Sequence, residues 1–192
     1  MRILGVDEVG RGCLAGPLVV GAVLLDCSID GIKDSKLLST TKRKVLSKEI
    51  YTKAIYVGLG WVSAEEIDAI GLSASLTLAS KRALSNMDDR PDKIILDGNF
   101  NYLPDIYNSE TLIRGDSIIP AISAASIVAK VARDNFMMNL HDQFPQFGFK
   151  TNVGYGTKSH KQALVENGYT IYHRKSFEPI RTFLHDNILA SY

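Results

Sequence analysis

ILGVDEVGRGCLAGPLVVGAVLLD, residues 3–26, reads as two apolar segments joined through glycines. Ile3 to Glu8 has the look of a first strand, GRGCLAGP of a glycine-rich turn, and Leu18 to Asp26 of a second strand whose Val and Leu content suits a central place in a sheet. The run from Leu14 to Leu25 is the longest apolar one in the chain, but Gly16, Pro17 and Gly21 interrupt it. It falls well short of the roughly 20 residues that a bilayer-crossing helix needs, so it is read as buried strand.

On the C-terminal side the pattern alternates between helix and strand. Residues 40–53 carry helix formers with Val45, Ile50 and the stem of Lys53 at near-helical spacing, and Ala54 to Val62 returns to a β-branched and aromatic strand pattern. Ser63 followed by Glu66 predicts a capping box, Gly71 interrupts that short helix, and Leu72 to Asn86 continues as a longer one with Leu76, Ala79, Ala83 and Leu84 inward. KIILD (Lys93–Asp97) and TLIRGD (Thr111–Asp116) are short strands that each deliver an acid, and Pro120 to Phe144 is a long helix with a stripe through Ile122, Ala125, Val128, Ala132 and Phe136. Residues 145–157 predict an ordered loop, with helices after it. This order gives a mixed α/β sheet with helices packed on it.

A chain of 192 residues is expected to form one domain. A net charge of +1 excludes a whole-molecule field for nucleic acid, so any such binding must come from a local patch. Two cysteines, Cys13 and Cys27, cannot make a disulfide framework, and the N-terminus lacks a basic signal segment; a reducing cytoplasm is the expected location. The histidines at 141, 160, 173 and 185 show no helical zinc-ligand spacing, so surface or packing roles are expected for them.

Asp7, Glu8, Asp97 and Asp116 all stand where apolar strands are expected to stop. In an α/β sheet such ends converge on one edge. Strand alternation sends Asp7 and Glu8 to opposite faces, so a shared site requires the chain to leave extended geometry by Glu8, which Gly10 permits. Clustered carboxylates repel unless cations compensate, and hard oxygen donors select Mg²⁺ or Mn²⁺; two such ions can clamp the attacking and leaving oxygens of a phosphodiester. For any one of these acids a helix cap or a solvated turn is the commoner use. Asp134, well inside the long helix, is read as structural, paired with Arg133 or Lys130.

GVDEVGRGCLAGPLVVGAV from Gly5 resembles the opening signature of the ribonuclease HII family. Further matches follow in order: KDSKLLS at Lys33, ILDGN at Ile95, GDSIIPAISAASIVAKVARD at Gly115, GYGTKSH at Gly154 and HRKSFEPI at His173. The resemblance implies a ribonuclease H-like fold: a five-stranded mixed sheet flanked by helices, with residues 1–144 as catalytic core and 145–192 as a C-terminal helical extension completing the same single domain. It implies that Asp7, Glu8, Asp97 and Asp116 are the catalytic, metal-ligating quartet, holding Mg²⁺ or Mn²⁺ in a two-metal-ion mechanism. Gly10, Arg11 and Gly12 would read the RNA-to-DNA junction, Tyr155 would stack on the neighbouring sugar, and Lys36 would contact a backbone phosphate. Without the resemblance, the glycines serve equally well as a tight turn, and Tyr155 as a packing anchor.

The implied activity is endonucleolytic cleavage 5′ of ribonucleotides embedded in duplex DNA, and of RNA in RNA–DNA hybrids, leaving 3′-hydroxyl and 5′-phosphate ends. That places the chain in ribonucleotide excision and DNA replication and repair, as a monomer without a membrane partner. The alternatives are a nuclease of the same fold that needs no ribose, and a nucleic-acid-binding module without catalysis. One departure stands out: many relatives carry His-Lys before the Gly-Tyr pair, where this chain has Asn152-Val153, so a basic contact is lost or supplied by Lys150 or Lys158.

Overall fold

The computed structural model describes residues 1–32, 38–88 and 90–182. Five strands form one sheet in the order β3-β2-β1-β4-β5, where β1 is Ile3–Val9, β2 Leu18–Leu24, β3 Tyr56–Val62, β4 Lys93–Asp97 and β5 Ser109–Leu112. β1 runs antiparallel to β2 and parallel to β4, and β4 runs parallel to β5, so the sheet is mixed. The helices are α1 (Thr40–Lys53), α2 (Ala64–Ile70), α3 (Leu72–Leu84), α4 (Pro120–Gln143), α5 (Phe149–Asn152) and α6 (Lys158–Asn167). Among the described residues no helix is long and apolar enough to cross a membrane.

The chain divides into two compact units. The first takes residues 1–9, 19–61 and 76–132; the second takes 10–18, 62–75 and the described residues from 133 on. In the first unit the sheet is sandwiched, and glycines show how closely. A Cβ on Gly5 of β1 would lie 2.2 Å from the Ala121 carbonyl carbon of α4, and one on Gly60 of β3 would lie 1.7 Å from the Ala79 oxygen of α3. Helix backbones therefore rest directly on the strands, α4 on one face and α3 on the other. Val23 of β2 packs with Leu46 and Ile50 of α1 and with Ala124, Ala125, Ile127 and Val128 of α4, which places α1 on the α4 face. β2 is buried along its whole length, as its apolar composition requires.

The second unit has its own core, in which Leu14 and Ala15 meet Met137 and Leu140 of α4, Phe147, Phe149, Leu164 and Ile180. The capping box of α2 is present: Ser63 Oγ accepts from the Glu66 N–H at 3.1 Å, and Glu66 Oε2 accepts from the Ser63 N–H at 2.8 Å.

Three expectations need correction. In α1 the buried side is Leu46, Ser47 and Ile50, while Val45 is 60% exposed. TLIRGD is not a strand up to its acid: β5 ends at Leu112, Arg114 turns left-handed at φ 58°, and Gly115–Ser117 forms a 3-10 turn. The stripe of α4 leaves Ala132 and Phe136 half-buried and continues instead through fully buried Arg133 and Met137. Residues 145–157 are ordered as expected, and hold a 3-10 turn (Pro145–Phe147) and α5.

Candidate active site

Register sets two of the expected acids, Asp7 and Asp97, side by side. Asp7 pairs with Gly21 across β2, and Val6 pairs with Leu96 across β4, so Asp97 at the end of β4 lies alongside Asp7. Asp7 shares its face with Gly5, hence with α4, and its carboxylate hydrogen-bonds Ser126 of that helix. Glu8 does not leave extended geometry: β1 continues to Val9, with Glu8 opposite Val20. Alternation therefore sends its side chain to the other face, where its Oε2 accepts from the Tyr102 hydroxyl at 3.0 Å. The Tyr102 carbonyl in turn accepts from Thr77 of α3 at 2.9 Å. Asp97 Oδ1 accepts from the Gly115 N–H at 2.7 Å, which fastens the end of β4 to the 3-10 turn carrying buried Asp116.

These positions make ionisation of Asp7 unfavourable. Burial, first of all, pushes its carboxyl up to about 8; the Ser126 hydrogen bond opposes the rise, and the negative charges of Glu8 and Asp97 add to it. As placed, no three His, Cys, Asp or Glu side chains among the described residues form a group that could hold a metal ion. Protein donors hold the three carboxylates instead: Ser126 and the Glu8 N–H at Asp7, Tyr102 at Glu8, and Gly115 at Asp97. In kind and in charge the donor set still suits a hard divalent cation, since all its ligands would be carboxylate oxygens whose mutual repulsion a cation relieves.

The second unit holds the glycine turn and Tyr155. Sequence reading missed what fixes them. Arg174, fully buried, donates from Nη2 to the Gly10 carbonyl at 2.7 Å and the Gly16 carbonyl at 3.0 Å, and from Nη1 to the Arg11 carbonyl at 2.9 Å. Burial pulls its pKa down to about 10. Asp68 of α2 sets the following segment by accepting from the Lys175 and Ser176 N–H groups. Arg133, also fully buried, reaches the carbonyls of Pro17, Val153 and Ala15. A guanidinium is suited to several carbonyls at once, but a lone Arg in HRKSF or in KVARD gives no sequence signal of that use.

Gly10 and Gly12 are glycines for different reasons. Gly10 has φ +87°, and a Cβ there would meet Arg133 Nε at 2.2 Å, whereas a Cβ on Gly12 would meet none of the described residues within 4 Å. Tyr155 follows Gly154, whose carbonyl accepts from the N–H groups of Leu14 and Ala15 at 2.8 and 3.2 Å. Tyr155 as a whole is 44% exposed, and its hydroxyl hydrogen-bonds Cys13, which is buried in the turn. Asn152, in place of a basic residue, is buried: it donates to the Phe147 carbonyl at 2.6 Å and accepts from the Gly154 N–H at 2.8 Å. His160 and His173 are buried side by side, a pairing that sequence spacing did not reveal. Lys36 lies outside the described residues.

A five-stranded mixed sheet in this order, flanked by helices and with Asp7 and Asp97 on adjacent parallel strands, is the architecture of the ribonuclease H-like class. The chain matches the family model described as Ribonuclease HII over residues 4–180. It is similar to the ribonuclease HII of Pelagibacter ubique (47% identity, covering 96% of this chain and all of the relative) and to that of Alteromonas mediterranea (46%, covering 96% and 97%). It superposes on the crystal structure of ribonuclease H2 from Pyrococcus horikoshii with a TM-score of 0.81 at 26% identity, covering 97% of this chain and 98% of the other. The chain belongs to the ribonuclease HII family, and its activity is of the ribonuclease H type.

Proposed function

We propose that the chain cuts the phosphodiester 5′ of ribonucleotides embedded in duplex DNA, and RNA in RNA–DNA hybrids, leaving 3′-hydroxyl and 5′-phosphate ends. The observation that carries this reading is the register that sets Asp7 of β1 beside Asp97 of β4, where burial and the charges of Glu8 and Asp97 push the Asp7 carboxyl up to about 8. A carboxylate that its surroundings disfavour gains most from a divalent cation, because the ion offsets both burial and repulsion.

Asp7, Glu8, Asp97 and Asp116 would hold Mg²⁺ or Mn²⁺. Two such ions, when bound, supply charge neutralisation at the phosphate and make water a nucleophile near neutral pH. For its part the chain gives up a proton at Asp7 and releases the Gly115 and Tyr102 bonds of Asp97 and Glu8. Gly10–Gly12 would admit the ribose 2′-hydroxyl to the backbone. The open space at Gly12 supports this, since none of the described residues requires glycine there. Exposed Tyr155 would stack its ring on the adjacent sugar, and Lys36 would bind a phosphate. The enzyme would act as a cytoplasmic monomer in ribonucleotide excision.

The test is incubation of the whole protein with a duplex containing one ribonucleotide and with its all-DNA twin, with and without chelator, beside Asp97→Ala. Cleavage of the first duplex alone, abolished by chelator and by the variant, is expected. Cutting of both duplexes would overturn the substrate, and full activity in chelator or in Asp97→Ala would overturn the site.

A further inference from the structure

We infer that His160 and His173 form a neutral hydrogen-bonded relay that positions Tyr155, which makes both histidines positioning residues for substrate binding. The inference rests on the reading of Tyr155 as a substrate contact.

The relay has fixed ends. At one end the Thr170 backbone N–H, which can only donate, points at His173 Nδ1 at 3.0 Å. That nitrogen must accept, so the ring proton of neutral His173 sits on Nε2. His173 Nε2 lies 3.1 Å from His160 Nε2, which must therefore accept in its turn. The proton of neutral His160 is then on Nδ1, which lies 2.9 Å from the Tyr155 carbonyl, a group that can only accept. Each end alone dictates the same direction, and the two agree. An additional proton on His160 would set two N–H groups against each other at the Nε2 pair, and one on His173 Nδ1 would oppose the Thr170 N–H, with only the Thr170 hydroxyl, also at 3.0 Å, left to accept it.

Surroundings favour the neutral pair. The Phe147 ring meets His173 edge-on at 4.7 Å and Phe149 meets His160 at 5.4 Å, and both imidazoles are almost without exposed surface. Burial lowers the pKa of each, and at His173 the proximity of His160 lowers it further.

What the relay holds is the point where the chain turns from Tyr155 into α6. The Tyr155 carbonyl accepts from the Thr157 N–H at 2.8 Å as well as from His160, and Thr157 Oγ1 caps α6 by accepting from the His160 N–H. With the backbone thus fixed, Tyr155 stands half exposed at the surface.

Two measurements on the intact protein test this. Nitrogen-15 NMR at pH 7 should show His160 protonated on Nδ1 only and His173 on Nε2 only; His160 protonated on Nε2, or either ring cationic, would overturn the relay. Kinetics on the single-ribonucleotide duplex should show KM raised about fivefold in His160→Phe, with kcat changed much less, and restored in His160→Asn, whose amide can donate to Tyr155. In a Tyr155→Ala background His160→Phe should add nothing. Normal KM in His160→Phe, or an effect that adds to a harmful Tyr155→Ala, overturns the positioning role while the reading of Tyr155 stands. A harmless Tyr155→Ala overturns that reading and the positioning role with it, and the NMR result then still decides whether the relay exists. The NMR arm also keeps the inference exposed should His160→Phe fail to fold.

Discussion

Arg174 grips Gly10 from behind: its Nη2 donates to the Gly10 carbonyl at 2.7 Å, and the same guanidinium holds Arg11 and Gly16. Three carbonyls of the turn thus face a buried cation, and the conformation of the turn depends on it. Arg174→Met would leave those acceptors buried without their donor, at about 1–3 kcal/mol for the first and less for those that can shift toward water. We expect a melting temperature lower by about 2–12 °C, at roughly 2–4 °C per kcal/mol for a chain of this size. Calorimetry giving the native melting temperature would refute the role.

Gly10→Ala and Gly12→Ala should part company. At Gly10 the positive φ and the 2.2 Å approach to Arg133 make alanine destabilising, whereas at Gly12 a Cβ meets no atom of the described residues. Gly12→Ala is expected to melt as the native protein does but to raise KM on a single-ribonucleotide duplex by tenfold or more. An unchanged KM would mean that nothing approaches the backbone there.

Stability of the chelated protein should pass through a maximum in mildly acidic solution. Asp7 ionises near 8 in the folded chain against 3.8 ordinarily, so between those values the folded state holds an extra proton, and stability falls as pH rises. His173 acts in the other direction: at about 3 against 6.5, the folded state lacks a proton that the unfolded chain binds, and stability falls as pH drops through that window. Between pH 6.5 and 8 only Asp7 of the two contributes. Melting curves in chelator should therefore decline over that interval in the native protein and stay flat in Asp7→Asn, and parallel declines would show that Asp7 is not the group responsible.

Much of this was legible in the sequence because it rests on local pattern. The apolar run of β1, the span Thr40–Lys53 of α1 and the Ser63–Glu66 box each follow from neighbouring residues. Where a left-handed residue intervenes, pattern fails: Arg114 carries no mark of φ 58°, so TLIRGD has the pattern of a strand to its end. Side chains whose partners are distant in sequence were equally hidden. Arg174 to Gly10 spans 164 residues, and His160 to His173 pairs a helix with a loop, so no spacing rule reaches either. Asp7 and Glu8 were foreseen as sharing one place only if β1 ended early; in fact Glu8 stays extended, and its carboxylate is set by Tyr102 on the opposite face.

Val153 offers a gain on two counts. It is β-branched yet sits at φ 43°, a left-handed conformation that such residues adopt only under strain of about 1–2 kcal/mol. Its carbonyl is held by Arg133 at 2.8 Å, and Gly154 beyond it is fastened to Leu14 and Ala15, so the backbone cannot relax. Relatives with His-Lys before the Gly-Tyr pair would have lysine here, a residue whose unbranched stem fits that conformation with less strain and still covers the core against which Val153 packs. Val153→Lys should raise the melting temperature by about 2 °C and, by adding one phosphate contact, steepen the decline of duplex affinity with salt by about 0.9 in log–log slope. Asn152 is buried and bonded on both amide atoms, so the lysine at 153 would act without disturbing it. Identical salt slopes for variant and native protein would show that this position faces no phosphate, and that the basic contact is made elsewhere on the chain.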